Sequence, residues 1–205
     1  MPATCPGEIT IEKTPKYFIA KRTPERIHKM NPDTKLIVVV RDPVTRALSD
    51  YAQNASKRPR MPSFEEMAFI SRDQGSAIVN QSWHAISIGL YHKHVKRWLK
   101  YFPLKQMHFV NGERLITNPV EEANLVEDFL GLERAIGPNN FFTVRRSGKS
   151  FPCPRKHPKQ PKCLGSTKGR KHPVIPGHLL RTLYSFYETP NLLFYRLVRR
   201  DFSWQ

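Results

Sequence analysis

Residues 35–51 read KLIVVVRDPVTRALSDY, and this stretch decides the fold. Leu36 to Val40 run without a polar residue between Lys35 and Arg41. Such a run is rich in valine and too short for an ordinary helix, so it reads as a strand buried on both faces. Arg41-Asp42-Pro43 ends it. Asp42 suits an N-cap and Pro43 the first helical position, so a helix starts there. Val44, Ala47, Leu48, Tyr51 and Ala55 then recur at helical spacing as one apolar stripe. Arg41 therefore sits at the carboxyl end of a strand, and Ser49 two turns into the following helix, beside the stripe.

Ligands of open α/β sheets gather outside the carboxyl ends of the strands. A planar guanidinium from the strand end and a hydroxyl from the helix can share one phosphate. The same residues also suit a plain role, with Arg41 paired to an acidic neighbour and Ser49 solvated. The residues alone leave both readings open.

The totals narrow the partners. A chain of 205 residues suits one domain with a real core. Formal charge is +17 and the isoelectric point about 10.1, which points to a polyanionic partner: nucleic acid, an anionic membrane or a sulfated polysaccharide. No run approaches the roughly 20 apolar residues of a membrane span. Met1 to Cys5 carry no apolar signal-peptide core.

Along the chain, Glu8 to Glu12 alternate and read as a short strand ending at Lys13-Thr14-Pro15. Thr23-Pro24-Glu25-Arg26 reads as a cap plus a short helix running to Met30, and Asn31-Pro32-Asp33 as a turn. Lys57 to Pro62 is a basic, proline-broken loop, either solvated or the rim of a polyanion cleft. Ser63-Phe64-Glu65-Glu66 starts a helix with a capping box. Residues 72–81 read as a polar surface loop. Gln81 opens the longest helix, which runs to about Phe102, with Tyr91, His94, Val95, Trp98 and Phe102 on its apolar side. Lys93, Lys96, Arg97 and Lys100 lie opposite and read as solvent-facing. Met107 to Val110 is a second buried strand, followed by Gly112-Glu113-Arg114-Leu115. Asn118-Pro119 caps a helix that carries Val126, Phe129 and Leu130 inward and stops at Gly131. Pro176 to Tyr187 is the last helix, with Leu179, Leu180, Leu183 and Phe186 inward. Asn54 and Asn80 sit in N-glycosylation sequons, Asn80 being the better placed. Cys153 and Cys163 flank a stretch with no apolar residue. A disulfide closing it is favoured over a metal site, because the spacing fits no zinc pattern.

Four ordered segments carry a resemblance: Glu12 to Phe18 (EKTPKYF), Arg41 to Tyr51 (RDPVTRALSDY), Lys168 to Pro173 (KGRKHP) and Phe194 to Trp204 (FYRLVRRDFSW). Together they resemble the PAPS-dependent sulfotransferases, and most closely the heparan sulfate glucosamine 3-O-sulfotransferases. The resemblance implies an α/β, P-loop-like sulfotransferase fold with a parallel sheet flanked by helices. It implies that Arg41 and Ser49 hold the 3′-phosphate of 3′-phosphoadenylyl sulfate (PAPS). Lys168, Gly169, Arg170, Lys171 and His172 would fold over the nucleotide, with Gly169 letting backbone approach a phosphate. Lys13 is the implied catalytic cation at the sulfuryl group or bridging oxygen. Lys13, Thr14, Pro15 and Lys16, with Trp83 and His84, would border the acceptor sugar. The family also has a bridge at Cys153–Cys163, which implies an oxidising compartment. No metal is implied.

The family further has a strand and a Lys-Gly-Gly-Thr-Arg loop upstream, which grip the 5′-phosphosulfate, and then a glutamate that acts as base. No such loop occurs in these 205 residues. The expectation is a partial sulfotransferase domain over residues 1–205 with its N-terminal part missing, an apolar sheet edge exposed, and weak or no activity by itself. Expected partners are heparan sulfate and no nucleic acid. Expected location is the Golgi lumen, with any membrane anchor upstream. The alternative is a non-catalytic heparan sulfate-binding remnant.

Overall fold

The computed structural model describes residues 5, 7–73, 75–146, 149–155, 163 and 170–204. A 3₁₀ turn at Pro15–Tyr17 leads to α1 (Thr23–Met30) and β1 (Leu36–Val40). α2 (Pro43–Ala55) starts where the sequence places it: the Thr45 amide donates to Asp42 Oδ1 at 2.7 Å, and Pro43 opens the helix. α3 (Phe64–Ala68) carries the expected capping box between Ser63 and Glu66. β2 (Phe69–Ser71) and β3 (Ile78–Val79) form an antiparallel pair, so part of the expected polar loop is a strand.

The helix expected from Gln81 to Phe102 is two: α4 (His84–Ser87) and α5 (Tyr91–Trp98). The chain turns at Gly89-Leu90, and a Cβ at Gly89 would lie 2.8 Å from the Tyr187 hydroxyl and 2.9 Å from Pro43 Cβ. Arg97 also departs from expectation. Its guanidinium is half-buried and donates to the Ile19 carbonyl at 2.7 Å rather than facing solvent.

β4 (Met107–Asn111) pairs parallel with β1, Leu36 opposite Met107 and Val40 opposite Asn111. α6 (Arg114–Thr117) and α7 (Pro119–Leu130) follow, α7 ending at Gly131 with φ +78°. β5 (Phe141–Arg146) and β6 (Lys149–Pro154) form a hairpin, and Cys153 is bridged to Cys163 with Cα atoms 5.2 Å apart. α8 runs from Gly177 to Val198, eleven residues beyond the expected end at Tyr187 and through Pro190. An internal proline costs about 3 kcal/mol locally. Burial of Tyr187, Asn191, Phe194 and Val198 along one side of the helix offsets it.

Two clusters make the core. One joins Val44, Ala47, Phe64, Ile86, Leu179, Leu183 and Tyr187. The other joins Val40, Tyr91, Val95, Trp98, Phe109, Phe194 and Phe202 beneath the parallel strands. α8 belongs to both, so it clamps α2 to the sheet. Phe129 of α7 stacks on His108, 5.3 Å between ring centres, and covers the β4 half of the upper face. The β1 half is open: Ile37 is 41% and Val39 59% exposed, against the expectation of a strand buried on both faces. Ile9 and Ile11 are also exposed, and residues 8–12 form no strand, because no partner among the described residues pairs with them.

Buried carboxylates tie the elements together. Glu122 is fully buried; it accepts from the Asn111 amide at 2.9 Å and pairs with Arg114 at 3.2 Å and Arg200 at 2.6 Å. Glu127 caps the Ala135 and Ile136 amides at 3.0 and 3.2 Å. Replacing Glu122 with alanine should destabilise the fold by about 3 kcal/mol, since an amide and two guanidinium contacts lose their acceptor together. Urea unfolding reads this directly.

Burial also sets a pH dependence. His94 is pushed down to about 4 by burial and by the adjacent Arg97, and burial lowers His92 and His108 in the same direction. The His94 ring therefore stays neutral in the native state down to about pH 4, while the unfolded chain protonates its histidines near pH 6.5. Stability is therefore full above about pH 6.5 and falls as pH drops toward 4, by at most about 1.4 kcal/mol per unit and histidine before solvent screening. Urea midpoints should fall steadily between pH 7 and pH 5, and His94→Gln should flatten that slope.

Candidate anion-binding site

Arg41 leaves the sheet at the end of β1. Its carbonyl accepts from the Tyr91 hydroxyl at 2.9 Å, and burial raises that hydroxyl to about 12, so it stays a donor. The Arg41 stem crosses the turn after β4 at Gly112. A Cβ there would lie 2.5 Å from Arg41 Cγ and 2.7 Å from the Val40 carbonyl oxygen, which accepts from the Gly112 amide at 2.8 Å. Only glycine lets the side chain pass so close to the backbone.

The guanidinium then reaches α2. Arg41 Nη1 donates to Ser49 Oγ at 3.4 Å, a long bond, and Ser49 Oγ lies 2.8 Å from His172 Nε2. One turn along α2, Gln53 Oε1 accepts from Arg170 Nη1. Arg170 and His172 thus run beside α2 and meet Gln53 and Ser49, residues one helical turn apart. Arg41, a hydroxyl and an imidazole converge at a strand end, a set of donors suited to a phosphate or sulfate. Asp42, just behind, has its pKa raised chiefly by burial, with Glu113 adding to the rise.

The other expected positions fall elsewhere. Lys13, Pro15 and Lys16 are exposed around the 3₁₀ turn, and the Thr14 hydroxyl donates to Glu12 at 2.6 Å. The Phe18 carbonyl anchors that turn by accepting from the Trp98 indole at 2.9 Å. Trp83 is half-buried, edge-on to Phe64 at 5.3 Å and to Tyr51 of α2 at 6.5 Å, while His84 is exposed. Lys171 is exposed beside His172, and Lys168 and Gly169 lie outside the described residues. The basic loop after α2 lines an open groove of about 520 Å³ with Arg58, Arg60, Met61 and Met67.

Two site residues are not singled out by sequence reasoning. Gln53 lies four residues after Ser49, so helical spacing already places it on the same side. Glu113 accepts from Arg41 Nε at 3.3 Å and from the Asp42 amide at 3.1 Å; its position after β4 is the signal, since both strand ends meet there.

A model of the sulfotransferase domain matches residues 13–159. The chain belongs to the sulfotransferase family. It is 52% identical to mouse heparan sulfate glucosamine 3-O-sulfotransferase 3B1 and 50% identical to human heparan sulfate glucosamine 3-O-sulfotransferase 6. In both cases all of the chain is covered, against 52% and 59% of the relative. This sulfotransferase chain therefore spans a little over half the length of those curated relatives. The crystal structure of a sulfotransferase from Alicyclobacillus acidocaldarius superposes with TM-score 0.62 at 22% identity, over 91% of this chain and 63% of that one, which supports the α/β fold.

Gly112→Ala should drive the new methyl into the Arg41 stem and the Val40 carbonyl. Overpacking of this kind costs about 1–3 kcal/mol, so a lower melting temperature is expected, with the Arg41 side chain displaced in a crystal structure of the variant.

Proposed function

We propose that the chain takes part in transfer of a sulfuryl group from PAPS to the 3-hydroxyl of glucosamine in heparan sulfate. The observation that carries this reading is the convergence of Arg41, Ser49 and His172 at the end of β1 in a chain whose relatives are named for that reaction. In this reading Arg41 and Ser49 grip the nucleotide 3′-phosphate. His172 braces the Ser49 hydroxyl, and Arg170 and Lys171, with Lys168 and Gly169, border the nucleotide.

During transfer a sulfur–oxygen bond forms from the sugar hydroxyl, whose proton passes to a base (in the resembled family, the upstream glutamate), and the bond from sulfur to the bridging phosphate oxygen breaks. Negative charge grows on the departing nucleotide, and a preorganised cation there is often the largest contribution to catalysis. Lys13 is our candidate for that cation. Thr14, Pro15, Lys16, Trp83 and His84 are candidates for the rim that seats the saccharide, and the formal charge of +17 favours a polyanionic partner. The Cys153–Cys163 bridge supports work in an oxidising lumen, which we take to be the Golgi, and Asn80 is the better placed glycosylation sequon. We propose no metal and no nucleic-acid partner.

The strong positive charge also suits a second reading, a heparan sulfate-binding chain without catalysis. Calorimetric titration with adenosine 3′,5′-bisphosphate separates the two. We expect saturable binding that weakens at least about tenfold in Arg41→Ala, the loss typical of a hydrogen bond to a charged group, with heparin affinity nearly unchanged. Heparin binding without nucleotide binding would favour the second reading.

A further inference from the structure

The acidic member of the site is not a ligand group by charge, yet it touches the residue on which anion binding depends. Glu113 Oε1 accepts from Arg41 Nε at 3.3 Å and from the Asp42 amide at 3.1 Å. Its other oxygen, Oε2, accepts from the Trp204 indole at 3.3 Å, and Trp204 lies flat against Phe194 at 5.7 Å in the core. The Glu113 amide is fixed in turn by Asn111 Oδ1 at 3.0 Å. Both carboxylate oxygens and the backbone of Glu113 are therefore tied, and the carboxylate cannot swing away without breaking several bonds.

We propose that Glu113 is the positioning residue of the anion site: by holding Nε it fixes the plane of the Arg41 guanidinium and leaves the terminal Nη1/Nη2 edge for the phosphate. A guanidinium is a rigid fork, so fixing one edge orients the other. A free arginine on a four-bond stem would have to be ordered each time a ligand bound, and losing that freedom weakens affinity. The charge of Glu113 opposes an incoming anion, so its value to the site lies in the orientation it gives Arg41. Gly112 completes the device by letting the stem lie against the turn that carries Glu113. The inference rests on the reading of Arg41 as the 3′-phosphate residue.

The test uses the full chain and titrates adenosine 3′,5′-bisphosphate and adenosine 5′-phosphate separately. Glu113→Ala is expected to weaken the bisphosphate about tenfold while changing the 5′-phosphate less than about twofold, within the range of couplings between contacting residues. Glu113→Gln keeps an acceptor for Nε and should recover most of the loss. In an Arg41→Ala background, Glu113→Ala should add nothing. The Arg41 Nε–H resonance, assigned by its disappearance in Arg41→Ala, should be slow-exchanging in the parent and in Glu113→Gln and lost in Glu113→Ala. A purely structural role would weaken both nucleotides alike, and that result overturns the proposal. So does unchanged or tighter bisphosphate binding in Glu113→Ala when Arg41→Ala is impaired. Full bisphosphate affinity in Arg41→Ala, or none in the parent chain, would overturn the 3′-phosphate reading itself and this inference with it.

Discussion

The bond from the Gly112 amide to the Val40 carbonyl, 2.8 Å long, joins the carboxyl ends of the two parallel strands, and the rest of the site hangs from it. It brings the turn after β4 so close to β1 that the Arg41 stem must lie across a glycine. From that point the guanidinium has one course, past Glu113 toward the second turn of α2. The Asp42 cap and Pro43 fix where α2 begins, and that sets the height of Ser49. α8 then holds α2 against the sheet through both core clusters. The site is thus a consequence of strand register and helix start, with few freedoms of its own.

Charge is arranged to the same end. The chain has twice as many basic as acidic side chains, 34 against 17, so its few buried carboxylates have chosen partners. Glu122 joins β4 to the C-terminal segment through Arg200, and Glu127 holds the chain after α7. Glu113 joins the site to the C-terminal Trp204. Each negative group sits at a junction of elements, where satisfying backbone amides or guanidinium groups lowers the cost of burial. The remaining positive charge is left largely to the surface, where it can meet a polyanion.

The strand–cap–helix at residues 36–55 was legible because every local signal agreed: an apolar run, an acidic cap, a proline and a stripe at helical period. The start of α3 was legible from its capping box, and both ends of α7 from the Asn118-Pro119 cap and Gly131. The departures came where tertiary contacts overrule local pattern. The stripe of Tyr91, Val95, Trp98 and Phe102 reads as one helix opened at Gln81, yet Ala85 and Ile86 fall out of its phase, and the chain turns at Gly89, in tight contact with Tyr187 and Pro43. The last helix was expected to end at Tyr187, yet burial of Tyr187 before Pro190 and of Asn191, Phe194 and Val198 after it carries α8 on. β1 reads as doubly buried from its valines, but what covers each face depends on neighbours the run itself does not encode. Of the site, Arg41 and Ser49 were readable from their offset on the strand and helix. The contact of His172 with Ser49 spans 123 residues, and no local pattern encodes it. Glu113 likewise lies 72 residues from Arg41, and only the pairing of β1 with β4 reveals that they meet.

We place one candidate anion site where β1, α2 and the His172 segment meet. Nuclear magnetic resonance on the isotopically labelled chain tests it most directly, by titrating adenosine 3′,5′-bisphosphate and mapping the shifted resonances. The largest changes should fall on the Arg41 side chain, the Ser49 amide and the His172 ring, with Ile9 and Ile11 unaffected. Changes centred instead on Arg58 and Arg60, with Arg41 and His172 silent, would contradict it.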